Sequence, residues 1–515
     1  MNKRYIILAM LLACFSLLLQ LGDVAFAQRV VNVSPLDGPT PGFGALNFVI
    51  DSDTLANGAR VDSNTVYVLQ RGVTYILNGT ISHVGYHLAV VAEDGTADRP
   101  RLIPGVAPGG ESARPFTPRG DLTVRGLYMT GQDELGTVLT QIIRISADSV
   151  RIVLDDCHVD VASQAGFRLD NEFNRLFFTN SIFSNLGGDW DNGRGVDDRG
   201  NHIDSLVSVN STWYNLPSRV LRDGGGYINY AKFDNNTIVN TGRRVAEFGE
   251  VVELEFTNNL MVNCGFLGQD TAATSAQIVV DSLENADIIG LDQSVLIRNN
   301  NFYVDPVFAA VYGDSVESMP WFSADAQTFV DDSGLGDTNF SESITFTNGP
   351  LPNTADVTEF YASGGDVLTA LPNLDRAGEP FDFAYPQGAT SYTAGVNGQP
   401  LGDLNWFGLA VAVEEDPESG LPTTFGLLNN YPNPFNPSTN IVYRLQNSMA
   451  VTLTIYNIMG QKIRTLVNNQ MQTAGEQRIA WNGRDDNEQI VASGVYLYRL
   501  ETRGFVETRK MLLLK

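Results

Sequence analysis

Two octapeptides decide the fold: Phe233-Asp234-Asn235-Asn236-Thr237-Ile238-Val239-Asn240 and Phe256-Thr257-Asn258-Asn259-Leu260-Met261-Val262-Asn263. In each, an apolar residue leads through one spacer to an amide anchor, and a second apolar residue follows three positions later. The same pattern is found around five further anchors: Gly126, Asp156, Asn180, Asn210 and Asn299, followed by Met129, Val159, Phe183, Trp213 and Phe302. Successive anchors lie 30, 24, 30, 25, 23 and 41 residues apart. A period in the twenties with two-residue alternation before each anchor is the signature of a stacked β-solenoid. One coil cannot bury its own inner face; coils stacked at ~4.8 Å share a continuous core and pair every strand edge. Amides at consecutive anchors predict a side-chain ladder up one corner. A two-sheet sandwich would need turn dipeptides such as Asn-Gly between all these segments, and they are largely missing.

Composition agrees and narrows the function. The 515 residues are 43% hydrophobic and only 18% charged, with 49 Gly, a β-rich and turn-rich balance. The 33 basic and 59 acidic residues give a net charge of −26, which repels nucleic acid and anionic membranes. A polyanionic glycan could bind such a chain only at a cation or a local arginine cluster. Arginine supplies 28 of the basic residues, and Lys232 is the sole lysine between Lys3 and Lys462.

The ends of the chain differ from its body. Lys3 and Arg4, the apolar run 5–19 and Ala25-Phe26-Ala27 predict a signal peptide over 1–27 and an exported protein. No later stretch is long enough to cross a membrane. Of the three cysteines, Cys14 belongs to that signal. Cys157 and Cys264 lie four coils, roughly 19 Å, apart, so two free thiols are expected. The solenoid is expected over 28–325, an irregular closing segment over 326–410, and a charged linker over 411–422 containing Glu414-Glu415-Asp416-Pro417. Beyond it, residues 421–515 carry ten basic and six acidic side chains, against −31 for the body at 28–420. Alternation in Ile441-Tyr443-Leu445, Val451-Leu453-Ile455 and Val495-Leu497-Leu500 predicts short antiparallel strands of a small Ig-like sandwich over 423–515.

These motifs carry two resemblances. The anchor segments, with the opening VYVLQRGVTYILNGTI at 66–81 and the closing YPQGATSYTAGVNGQPLGDLNW at 385–406, resemble right-handed parallel β-helix proteins of the pectate-lyase-like class. That resemblance implies an all-β fold and either action on polysaccharide or a non-enzymatic role in adhesion or scaffolding. The tail, with YPNPFNP at 431–437, IYNIMGQ at 455–461, GVYLYRL at 494–500 and the basic end Arg509, Lys510 and Lys515, resembles the C-terminal sorting domain (type A) of the type IX secretion system. More distantly it resembles the Ig-like domain of flagellar hook-capping proteins. The resemblance implies the type IX secretion machinery as partner, passage through the periplasm, and a secreted or outer-membrane surface location. A monomer is expected.

Candidate site residues are basic. Arg219 and Arg244 both sit nine positions after their anchors on adjacent coils, which stacks them in one corner. Arg222 follows at twelve, Arg243 precedes Arg244, and Lys232 lies outside the inner face. Uronate-type polysaccharide lyases on this fold use such groups to offset a carboxylate and remove the adjacent proton, which makes Arg219, Lys232, Arg243 and Arg244 the catalytic candidates. Glu247 and Glu250 offer hard oxygens for Ca²⁺. Glycosidase chemistry would instead need paired carboxylates on neighbouring coils, with Asp189/Asp191 and Asp197/Asp198 as candidates. The four histidines, His83, His87, His158 and His202, lack zinc spacing, and His158 is expected as an outward neighbour of inward Val159. Asp485-Asp486-Asn487-Glu488 lacks the alternate spacing of a calcium loop.

Overall fold

The computed structural model describes residues 29–409 and 426–513 apart from short segments within each; the expected signal peptide at 1–27 and the expected linker at 411–422 lie outside the described residues. The chain forms two compact units, one of residues up to Ser282 with Gln293–Gly408, the other of Leu283–Asp292 with Leu409–Lys515.

The first unit is a parallel β-solenoid with three faces. One coil runs through strand Arg151–Asp155 on the first face, His158–Ala162 on the second and Ala165–Leu169 on the third, then returns with Asn174–Thr179 to the first. Each strand pairs in parallel with its equivalent one coil on, as in Ile152↔Leu176 and Val159↔Phe183. Nine strands, from Thr74–Leu77 to Asn301–Tyr303, stack into the second face. The first and third faces join in one 15-stranded sheet, because the long strand Ala246–Thr257 runs through the corner between them. Its start pairs with the third face at Leu221↔Ala246, and its remainder with the first face from Tyr227↔Glu250 to Asp234↔Thr257.

The anchors work through backbone conformation. All seven adopt the left-handed region, from φ 50° at Asn180 to 72° at Gly126, where Gly, Asn and Asp cost least. The residue three positions later is 0–1% exposed in every coil. Inside, Phe183 stacks on Trp213 of the next coil at 3.8 Å, an aromatic column that stacking alone makes continuous. The amide ladder differs from expectation. Asn210 reaches Asn180 at 2.7 Å and Asn299 reaches Asn258 at 3.4 Å, but Asn235 turns to the carbonyls of Pro400 and Gly402, and Asn258 donates to Asp234, which breaks the run. The continuous ladder stands one residue later and fully buried: Asn236 to Asn259 at 3.0 Å, Asn259 to Asn300 at 3.1 Å, Asn300 to Asn339 at 2.9 Å. A dry position favours it, since an unpaired amide there costs the full desolvation penalty. A second left-handed column, Asn185, Asn215 and Asn240, forms another ladder on the second face at 3.1 and 3.0 Å.

The closing segment is a cover rather than a cap alone. Phe346, Phe381, Phe383, Tyr385 and Leu401 bury the outer side of the second face at Tyr214, Val239, Leu260 and Val262. His158 lies on the outer side of this face, as expected, yet is buried: the Tyr128 ring stands 5.0 Å away, its Nε2 lies 2.8 Å from Ser184 Oγ, and burial pushes its pKa down to about 4. Helix Thr354–Ala362, held by an Asn353/Asp356 capping box, packs Val357 and Phe360 onto Phe266 and Phe308. Both cysteines are free and buried, and burial pushes their thiols up to about 12.

The second unit is antiparallel. Strands Thr439–Leu445 and Gly475–Trp481 belong to one sheet, and Met449–Asn457, Lys462–Gln472, Gly494–Thr502 and Phe505–Leu513 form another. Ile441, Tyr443, Val451, Leu453 and Ile455 are buried as the alternation predicts. In Gly494–Thr502 the phase is different: Tyr496, Tyr498 and Leu500 face the core while Val495 is 44% exposed. The tyrosines win because Tyr496 packs against Trp481 at 5.3 Å. Among the described residues, no helix is long and apolar enough to cross a membrane.

Candidate functional site: an arginine-lined cleft

The third-face strands are short. In Arg219–Arg222, Val220 and Leu221 both enter the core, which leaves the two arginines facing outward at the ends. Repetition turns these ends into two columns. One runs Ala165, Arg194, Arg219 by direct pairing, and the Leu221↔Ala246 register carries it to Arg244. The other runs Arg144, Arg168, Asp197, Arg222, and the same register carries it to Glu247. Arg219 and Arg244 therefore stack on adjacent coils, as their equal offsets predict.

Four carboxylates serve eight guanidiniums along this face. Asp170 holds Arg144 and Arg168, and Asp197 holds Arg194 at 2.8 Å, Arg222 at 3.0 Å and Arg199 at 3.9 Å. Glu247 bridges Arg219 and Arg244, and Asp191 takes Arg243 at 2.6 Å. Among these ion-paired groups guanidiniums outnumber carboxylates, while Asp223 beside Arg222 and Asp281 near Arg244 offset part of the excess. Burial, then repulsion among the arginines, draws Arg219 and Arg244 down to about 10, so both stay protonated at neutral pH.

Arg219, Arg243 and Arg244 line a cleft of about 380 Å³ together with Trp190 and Tyr361. Trp190 projects from the insert 187–193, whose turn is fixed by Asp189 Oδ1 accepting from the Asp191 and Asn192 amides, each at 2.8 Å. Tyr361 comes from helix Thr354–Ala362 and donates to the Leu267 carbonyl at 3.3 Å, with its ring 6.0 Å from Trp190. From the coil above, Ser275 accepts from Arg244 Nε at 2.9 Å, while Gln269 Oε1 accepts from the Ser275 amide at 2.9 Å. Arginines beside aromatic faces suit an anionic ligand with a ring to stack.

The other candidates separate. Lys232 stands on the first face, paired with Glu255 at 3.0 Å and Asp234 at 4.0 Å, and is not brought to the arginines. Glu247 is committed to two guanidiniums, which leaves it unsuited to Ca²⁺ beside Glu250. Among the described residues no group of three or more His, Cys, Asp or Glu is arranged to hold a metal. Asp189 and Asp191 serve the insert and Arg243. Asp198 is desolvated, with its carboxyl raised to about 7, and accepts from the Gly200 amide at 3.2 Å in a turn; Asp197 is pinned by arginines. His83 lies 2.9 Å from the carbonyls of Gly120 and Asp121, and His202 stacks on Tyr227 at 3.9 Å. The sequence reading missed Trp190 and Tyr361. The 30-residue spacing after Asn180 marks the insert, whereas nothing in the repeat marks position 361.

No curated protein shows a significant match to this sequence. Among solved structures, PorZ of Porphyromonas gingivalis, described as a bacterial surface component of the type IX secretion system, is 19% identical over 18% of this chain and 12% of its own length, with a TM-score of 0.14. The enzymatically active domain of bacteriophage CBA120 tailspike protein 2 is 12% identical over 94% of this chain and 76% of its own, with a TM-score of 0.25. Residues 437–504 match the FlgD Ig-like domain family, so the second unit carries an Ig-like domain of that kind.

Proposed function

We propose that this is an exported solenoid of the pectate-lyase-like type that binds acidic polysaccharide on its third face, with Arg219, Arg243 and Arg244 contacting the carboxylates. The observation that carries this reading is the gathering of eight guanidiniums on four carboxylates within a chain of net charge −26. Binding of the full chain to uronate oligosaccharides, compared with neutral oligosaccharides of the same length, tests it. Saturable binding of the acidic series alone is expected, and equal binding of both series, or of neither, refutes it.

A binding role without turnover is favoured by the bridging of Arg219 and Arg244 by Glu247 and by the placement of Lys232 on another face. Lyase turnover would need a proton acceptor at the cleft. The appearance of unsaturated uronate products with the purified protein would establish turnover and reverse that preference.

For the tail, we propose a sorting domain of the type IX secretion system, which makes that machinery its partner and the cell surface or exterior its destination. The Ig-like match at 437–504 and the motifs YPNPFNP, IYNIMGQ and GVYLYRL support this reading. Deleting 421–515 is expected to leave the solenoid in the periplasm; normal amounts outside the cell would refute it.

A further inference from the structure

The arginine column that ends at Arg244 does so against a wall. The register Ala246↔Ile278 places Ala276 above Arg244, and Ala276 is 1% exposed. Gln269, Ser275 and Met319, which line the cleft, follow Arg244 in the next turn of chain and beyond. On the side stand the two aromatic rings, Trp190 and Tyr361, from an insert and a helix that do not belong to the repeat. The volume of about 380 Å³ is at the small end for a ligand site and fits a sugar unit or two, not a long segment of polymer. In the opposite direction the column continues through Arg219 to Arg194 at one coil per step, ~4.8 Å, a spacing comparable to the length of a pyranose residue. Of the ion pairs that hold the three arginines of the cleft, Arg243–Asp191 is the most exposed, at 43% and 71%, so an incoming carboxylate replaces Asp191 at small cost.

We propose that the cleft is a chain-end subsite. Resting on the acidic-polysaccharide reading above, it takes the terminal acidic sugar, with the ring against Trp190 and the carboxylate on Arg243 and Arg244. The remainder of the chain passes down the column over Arg219 and Arg194. An end-binding site holds one protein per polysaccharide chain whatever the chain length, whereas an open groove holds more proteins as the chain grows.

The test is a titration of the full-length protein with size-fractionated polyuronate, from short oligosaccharide to polymer, followed by calorimetry for stoichiometry and by tryptophan fluorescence. One protein per chain at every length is expected. Trp190→Ala is expected to weaken short-oligosaccharide binding by about tenfold, and Trp190→Phe, which keeps a stacking face, to retain most of it while losing the fluorescence change. Chemical blocking of one of the two chain ends is expected to abolish binding. Stoichiometry that rises with length, tolerance of blocking at both ends, or full affinity in Trp190→Ala overturns the chain-end inference and leaves the acidic-glycan reading standing. Binding to no acidic oligosaccharide, or binding unaffected by Arg243→Ala and Arg244→Ala together, overturns the reading itself.

Discussion

Replacing Glu247 by glutamine separates what the arginine corner does for the fold from what it does for a ligand. Glu247 bridges Arg219 and Arg244, whose side chains are 13% and 22% exposed. At an effective dielectric of about 20–40 and a separation of ~3–4 Å, each contact is worth roughly 2–5 kcal/mol before desolvation. Desolvation of the three groups removes most of this, and partial exposure screens the rest. Removing the charge also leaves two guanidiniums repelling each other across one coil. A net loss of about 2 kcal/mol in stability follows, seen as a lower midpoint in denaturant for the full chain. Binding moves the other way. The ligand carboxylate no longer competes with Glu247, so affinity for acidic oligosaccharide rises by about tenfold, corresponding to ~1.4 kcal/mol. By the same physics, Arg244→Ala is destabilising, because it strips Glu247 of one of its two partners. Glu247→Gln with unchanged stability and unchanged affinity would refute the bridge as the organising element of the corner. A fall in affinity would mean that Glu247 itself contacts the ligand.

Two buried groups predict opposite responses to pH. His158 is neutral in the folded state with its pKa lowered to about 4 against an unfolded value near 6.5, so the unfolded chain binds the extra proton; stability is lost as pH falls from about 6.5 to about 4, by about 3 kcal/mol. His158→Asn flattens that acid limb in denaturation curves, and an unchanged limb refutes the assignment. Asp403 is 2% exposed, accepts from Thr212 Oγ1 at 2.7 Å, and has its carboxyl raised to about 7 by burial. Its contribution is fully present below the unfolded value near 3.8 and lost as pH rises through about 7, a change of about 4 kcal/mol. Asp403→Asn therefore gains stability over the native chain at about pH 8.5 relative to about pH 5, and equal differences at both refute it. Non-reducing and reducing gels of the protein are expected to run alike, since Cys157 and Cys264 are both buried and free; a shift indicating a bridge between them contradicts the coil register.

Position within a repeat is an angle around the coil, and whatever depends on that angle alone was legible. The seven anchors gave the solenoid because a left-handed turn once per coil admits few residue types, and their third followers gave its core. Equal offsets gave the stacking of Arg219 on Arg244 for the same reason. Offsets did not show which amide column would be dry, so the continuous ladder proved to run from Asn236 to Asn339, not through the anchors. They did not show that Glu247 reaches two guanidiniums, which depends on side-chain reach between columns. Lys232 looked close in sequence to the arginines, but a corner of the coil separates its face from theirs. The closing segment has no repeat and hence no offset. That Tyr361 meets Trp190 at the cleft, and that Phe381, Phe383 and Tyr385 cover the second face at Tyr214 and Val239, was decided only when apolar surface at distant positions was withdrawn from water together.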